Sequence, residues 1–172
     1  NNYDSSLLAG AEKDYLEFIG RYGNFYQVDQ AMKQLAELYT FYLHKTDKAM
    51  ELLQSILKMP RTEPQLKAQT KLHLGDVYLI SGDVWEAELL YSQVDKDFKE
   101  DALGREAKFR MAKLFFYKGE FERAKAYLDV LKTATTQLIS NDAIELGMLI
   151  QDNTGFDSTE DALAMYAHAE LL

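Results

Sequence analysis

The chain has 172 residues, 47% of them hydrophobic and 27% charged, enough length for one sizeable core and an ordinary globular composition. Its 28 acidic against 19 basic side chains leave a formal charge of −9. That balance argues against nucleic acid and against an anionic membrane surface as partners, since both need basic patches. The absence of cysteine excludes a disulfide framework and a thiolate zinc site, and no apolar run approaches the ~20 residues that insert across a bilayer.

The chain opens on Asn1-Asn2 and closes on Leu171-Leu172 in mid-pattern, which reads as a fragment of a longer protein. Ala11 to Ile19 has helical apolar spacing and is expected to be the second helix of a partial first unit. Gly20-Arg21-Tyr22-Gly23 reads as a turn between helices and not as a phosphate cradle. Leu35, Ala36, Leu38 and Tyr39 then predict a first helix, and Ala49, Leu52, Leu53 and Ile56 a second. The turn between them, Leu43 to Asp47, contains no glycine, and Pro60 and Pro64 bracket the passage onward.

Next come two stretches that align without gaps at a period of 37, Leu74 to Ala87 and Met111 to Ala124. Leu74, Val77 and Tyr78 mark one helix face, and Met111, Leu114 and Phe115 mark its copy. Gly82 and Gly119 stop these helices through the left-handed conformation glycine accepts, and Asp83 and Glu120 open the next ones. Ala87, Leu90, Tyr91 and Val94 form the following stripe, repeated at Ala124, Tyr127, Leu128 and Leu131. Gly75 against Ala87, and Ala112 against Ala124, are expected to let paired helices approach closely. Further on, Leu138, Ile139, Ala143, Leu146 and Ile150 predict another helix, residues 152–157 a loop, Ser158 to Asp161 a capping start, and Ala162 to Ala169 a last helix. Leu163, Tyr166 and Leu171 of that helix are expected to pack on the Leu138–Ile150 stripe or on another chain.

The pattern resembles the tetratricopeptide repeat family at Gly75, Tyr78, Ala87 and Tyr91 and again at Ala112, Phe115 and Ala124, with Leu128 in place of the second aromatic. It departs from the family in a period of 37 to 39 and in Lys71 and Lys108 at the frequent Trp site, the family's period being about 34. Tyr15 to Gly23, with Ala31 and Leu35 to Tyr39, is similar to repeats of bacterial cell-envelope proteins. Leu149 to Asn153 with Ser158-Thr159-Glu160 resembles long repeat proteins of Bacteroides-like bacteria. The resemblance implies an all-α, right-handed α-solenoid of about eight or nine helices in antiparallel hairpins, read as a single repeat domain. Its repeats run over about 29–66, 68–104 and 105–139, with partial units at both ends. An envelope or periplasmic location is implied, with the cytoplasm as the alternative.

Nothing in the sequence forms a catalytic constellation. His44, His73 and His168 fall in different units, and His73 with Asp76 supplies two metal ligands where a site needs more. Pairs such as Glu86 with Glu88 and Glu100 with Asp101 read as a solvated face. Trp85 reads as packed beside Val84, with an exposed contact residue as the alternative. Family geometry places on the concave groove Lys33, Glu37, Thr40 and Phe41, then Gln69, His73, Asp76 and Leu79, then Glu106, Arg110, Lys113, Phe116 and Tyr117. Lys33, Glu37, Phe41, His73, Asp76, Arg110, Lys113, Phe116 and Tyr117 are the expected binding residues, with Phe116 and Tyr117 as apolar anchors beside basic donors. Lys33 and Arg110 match two basic members of the clamp that holds a terminal carboxylate in chaperone-binding relatives. Glu37, His73 and Glu106 break that clamp. The expected function is a non-catalytic scaffold for a protein or peptide partner, without catalytic, cofactor or metal residues. A structural spacer is the alternative, and an enzyme a distant third.

Overall fold

In the computed structural model the described residues are 5–23, 25, 27–99, 101–132, 137–154 and 160–171. They form nine α-helices and no strand: α1 (Ser5–Tyr22), α2 (Gln27–Phe41), α3 (Thr46–Lys58), α4 (Pro64–Ile80), α5 (Val84–Asp97), α6 (Ala102–Tyr117), α7 (Phe121–Lys132), α8 (Gln137–Thr154) and α9 (Asp161–Leu171). Two compact units divide the chain, residues 1–81 and 82–172.

In the first unit α1 packs on α2, α2 on α3 and α3 on α4, and α2 also touches α4. In the second, α5 packs on α6, α6 on α7 and α7 on α8, while α6 touches α8 and holds α9. The α2–α4 contact in the first unit and the α6–α8 contact in the second widen each unit's core beyond a single helix pair.

The sequence period reappears as a period of burial. Leu74 and Met111, Val77 and Leu114, Ala87 and Ala124, Tyr91 and Leu128, and Val94 and Leu131 are all buried. So are Leu35, Ala36, Tyr39, Ala49, Leu53 and Ile56 of the weaker upstream copy. Alanine stands at buried positions of two helices that pack on each other: Ala112 on α6 and Ala124 on α7 are both 0% exposed, so a larger side chain at either has no free space to enter.

Local chemistry sets the helix ends. Gly82 and Gly119 have φ of 87° and 73°, the left-handed conformation that returns the chain at a helix C-terminus. The glycine-free turn after α2 solves the same problem with His44, at φ 52°. Pro64 starts α4 at a position where its missing N–H costs nothing. Asp101 caps α6 by accepting from the N–H of Ala102, whereas Asp83, at the N-cap of α5, makes no side-chain cap bond. Residues 152–154 of the expected loop over 152–157 belong instead to α8, which continues through Thr154 with no proline to break it; the rest of that expected loop lies outside the described residues. The expected capping start at Ser158-Thr159 lies outside the described residues.

The last helix docks more broadly than the apolar stripe predicts. It touches α8 but packs more extensively on α6. Leu163 and Ala167 are buried, Tyr166 stays 52% exposed, and the Tyr166 ring meets Phe116 edge-on at 6.4 Å between centroids.

Candidate interaction surfaces

In the first unit, residues Gln30, Gln34, Glu37 and Phe41 recur on α2 at helical spacing, and Gln65, Gln69, His73 and Asp76 recur on α4. Two hollows open at the start of these rows. One, of about 540 Å³, lies between α1 and α2, with Tyr15 and Phe18 on one wall and Gln27, Gln30 and Gln34 on the other. The second, of about 340 Å³, lies between α2 and α4, where Gln27 and Gln30 face Arg61, Gln65 and Gln69. Gln27 and Gln30 thus form the ridge shared by both hollows. All five glutamines are exposed, and Gln34 accepts a bond from the Tyr15 hydroxyl at 3.3 Å. Phe18, Tyr22 and Phe25 extend the aromatic wall, with ring centroids 5.0 and 6.1 Å apart.

The floor of the second hollow is pinned by Asp29, 1% exposed. Its carboxylate accepts from the Thr62 hydroxyl at 2.6 Å and from Arg61 at 3.1 Å. Arg61 also donates to the carbonyl of Gly23 at 2.9 Å, so the α3–α4 connection is tied to both ends of the α1–α2 turn. Midway along α1, Glu12 accepts from Lys45 at 2.7 Å and from the Tyr39 hydroxyl at 3.0 Å. The Lys45 bond holds the Glu12 carboxyl below its usual range, and burial beside that carboxylate pushes the Tyr39 phenol up to about 12.

Farther along the same rows the expected binding residues are differently disposed. Lys33 is bridged to Glu37 at 2.5 Å, one turn away. Phe41 is 52% exposed and stacks on His73, with centroids 5.6 Å apart and planes at 11°. His73 itself is 5% exposed, and Thr40 and Leu79 are buried too, so these three belong to the packing beneath the face. Asp76 is half-buried.

In the second unit the expected anchor Phe116 is 1% exposed. It packs against Phe121 at 5.8 Å and under Tyr166. The expectation of free apolar area at Phe116 is therefore corrected: α9 already covers it. Tyr117 is half-buried with Lys113 Nζ 5.6 Å from its ring centre, and Arg110 is ion-paired with Glu106. Trp85 does not pack away beside Val84. It is 79% exposed, with Lys118 Nζ 5.2 Å from its ring. Lys118 is held in turn by Glu120 at 2.7 Å. Arg123 lies 3.8 Å from the Phe115 ring centre and pairs with Glu88 and Glu120, and the hydrogen bond from Lys118 holds the Glu120 carboxyl below its usual range.

Sequence reasoning missed these glutamines except for Gln69. The signal was present as glutamine at 27, 30 and 34 and again at 65 and 69, a helical spacing that charge- and aromatic-centred reading passes over. Among the described residues no three His, Cys, Asp or Glu side chains gather as metal ligands, and no helix is long and apolar enough to cross a membrane. Compared with protein-family models, with curated proteins and with solved structures, the chain finds no match.

Proposed function

We propose that the chain is a right-handed, tetratricopeptide-like α-solenoid that acts as a non-catalytic scaffold for a polypeptide partner, in the manner of bacterial envelope repeat proteins. The observation that carries this reading is the ridge of Gln27 and Gln30 between two open hollows, continued on α2 by Gln34 and faced across the second hollow by Gln65 and Gln69 of α4. A glutamine amide offers two donors and an acceptor without charge. A row of them matches the alternating N–H and C=O of an extended main chain, while Tyr15 and Phe18 supply rigid apolar contact for its side chains. Relative to the sequence-based expectation, the favoured site moves from α6, where Phe116 is covered, to the α1–α2–α4 face of the first unit.

The test is selection of peptides from a displayed library on the wild-type chain, followed by affinity measurement against Gln27→Ala/Gln30→Ala/Gln69→Ala. These side chains are exposed, so helicity by circular dichroism should be unchanged. Loss of about tenfold or more in affinity, ~1.4 kcal/mol, is the expected result. Equal binding to both proteins would remove the ridge as the site. Failure to select any peptide would favour a spacer without a ligand of its own.

A further inference from the structure

The hollow between α1 and α2 has a one-sided chemistry. Among the described residues that line it, one is charged, the carboxylate of Asp14. Asp14 is exposed, and no hydrogen bond or ion pair engages it among the described residues. Phe18 follows Asp14 by four residues on α1, so carboxylate and ring are neighbours on one helix face. Ala11 and Ala31, one from each helix, keep side-chain bulk out of the space between. The Tyr15 hydroxyl has spent its proton on Gln34 at 3.3 Å, so its oxygen is left to accept. Of the bases on α1 and α2, Arg21 is paired with Glu17 and Lys33 with Glu37. Lys13 sits about 100° round the helix from Asp14. In the second hollow Arg61 is committed to Asp29, which leaves Glu63 as the further charge of that lining.

We propose that the polypeptide bound on this face carries an arginine whose guanidinium enters the α1–α2 hollow, bonds the Asp14 carboxylate and lies against Tyr15 and Phe18. The inference rests on the polypeptide reading of the glutamine ridge and names one side chain of that ligand. Three features of the hollow select it. A carboxylate with no base in the same lining attracts a cation and repels an acidic side chain. Aromatic rings beside the carboxylate favour a planar, weakly hydrated cation, because guanidinium stacks on ring faces and a compact ammonium holds its water. The Tyr15 oxygen and the glutamine carbonyls are acceptors for the remaining N–H groups of guanidinium, which itself accepts nothing. Guanidinium also meets a carboxylate through two parallel bonds, a match that lysine cannot make.

The experiment uses the whole chain and pools of short acetylated, amidated peptides with random flanks and a fixed central residue: arginine, lysine, citrulline or leucine. Binding is read by NMR from the side-chain amide resonances of Gln27, Gln30 and Gln34. The arginine pool is expected to bind tightest, lysine next, and citrulline, which keeps the shape without the charge, about fivefold weaker than arginine. Asp14→Asn is expected to bring the arginine pool down to the citrulline level and to leave the leucine pool where it was, with unchanged circular dichroism. Glu122→Gln, the same loss of charge at an exposed position of α7, should change neither. Equal binding of the arginine and lysine pools, or of all the pools, would overturn the arginine and leave the polypeptide reading standing. An arginine preference that survives Asp14→Asn, or falls equally in Glu122→Gln, would overturn it as diffuse attraction to an acidic protein. So would acetylarginine amide alone binding as tightly as the arginine pool, since the ligand would then be a small cation. If no pool moves the glutamine resonances, the polypeptide reading falls and the arginine with it.

Discussion

Nε2 of His73 on α4 donates its proton to Oγ1 of Thr40 on α2, across 3.0 Å. The direction follows from the threonine, whose own hydroxyl proton is committed to the carbonyl of Ala36 at 2.8 Å, so a hydroxyl with one proton must accept from the imidazole. Phe41 stacked on the ring closes the arrangement from outside. A polar bond therefore joins α2 to α4 beneath a face that is otherwise held by packing. Thr40→Val keeps the shape and removes the acceptor, so the hydrogen bond between α2 and α4 is lost. The expected loss is about 1–3 kcal/mol by urea denaturation. Thr70→Val is the control: Thr70 bonds only back to the Leu66 carbonyl of its own helix, and its loss should cost less than about 1 kcal/mol.

Two helical glycines should respond oppositely to the same substitution. A Cβ at Gly104 would stand 2.1 Å from the carbonyl oxygen of Phe98, a backbone atom that cannot step aside without moving the end of α5. Gly104→Ala should destabilise by about 1–3 kcal/mol or more. At Gly147 the new methyl would meet the end of the Lys132 side chain at 3.0 Å, which can turn away, and Leu128 Cδ1 at an ordinary contact distance of 4.0 Å. Alanine there gains helix propensity of about 1 kcal/mol, so Gly147→Ala should leave the melting temperature unchanged or raise it.

The alanines of the repeat are tested by enlargement. Ala124 is 0% exposed on α7, which packs on both α6 and α8, and Ala124→Leu is expected to cost about 1–3 kcal/mol by overpacking. Ala126, exposed on the same helix, should accept leucine with little change. Equal denaturation midpoints for the two variants would remove the proposed helix contact.

Acid should loosen the attachment of α1. The Glu12 carboxyl is depressed by Lys45, so its contribution is present above the ordinary carboxylate pKa and is lost as pH falls through the lowered folded value. Tyr39 acts at the other limit: raised from 10.0 to about 12, it keeps its contribution below the ordinary phenol pKa and loses it as pH rises through the folded one. Glu12→Gln should lower the melting temperature at neutral pH and flatten its decline below about pH 4.5. An unchanged acid limb would assign that decline to other carboxylates.

Breaking the Asp29 network should be asymmetric. Arg61→Gln leaves a carboxylate that is 1% exposed with only Thr62 and solvent-poor surroundings, whereas Asp29→Asn leaves Arg61, about a third exposed, free to reach water. The Arg61 variant is therefore expected to lose more stability, and removal of one partner from such a pair costs up to about 3–5 kcal/mol when both are dry. A double-mutant cycle measures the coupling.

Much of the helical order was legible because the period of 37 repeats the spacing of the residues that must be buried, from Leu74 and Met111 through Val94 and Leu131. Gly82 and Gly119 were readable for a similar reason, since one backbone conformation favours one residue type. His44 was not, because a left-handed histidine leaves no compositional trace. The interaction surfaces were harder. Helical spacing alone cannot distinguish an aromatic that faces a groove from one roofed by a later helix, and Phe116 is roofed by α9, some fifty residues on in the chain. Trp85 failed in the other direction: large apolar residues are usually covered, and this one rests under Lys118 instead.

The seating of α9 on α6 has a consequence for any helix that would bind the same face from solution. Because α9 is part of the same chain as α6, it stays near that face at an effective concentration in the millimolar range. A competitor must exceed that standing occupancy before Phe116 is exposed to it. The second unit therefore sets a threshold of affinity at α6, while the open hollows along α2 in the first unit set none.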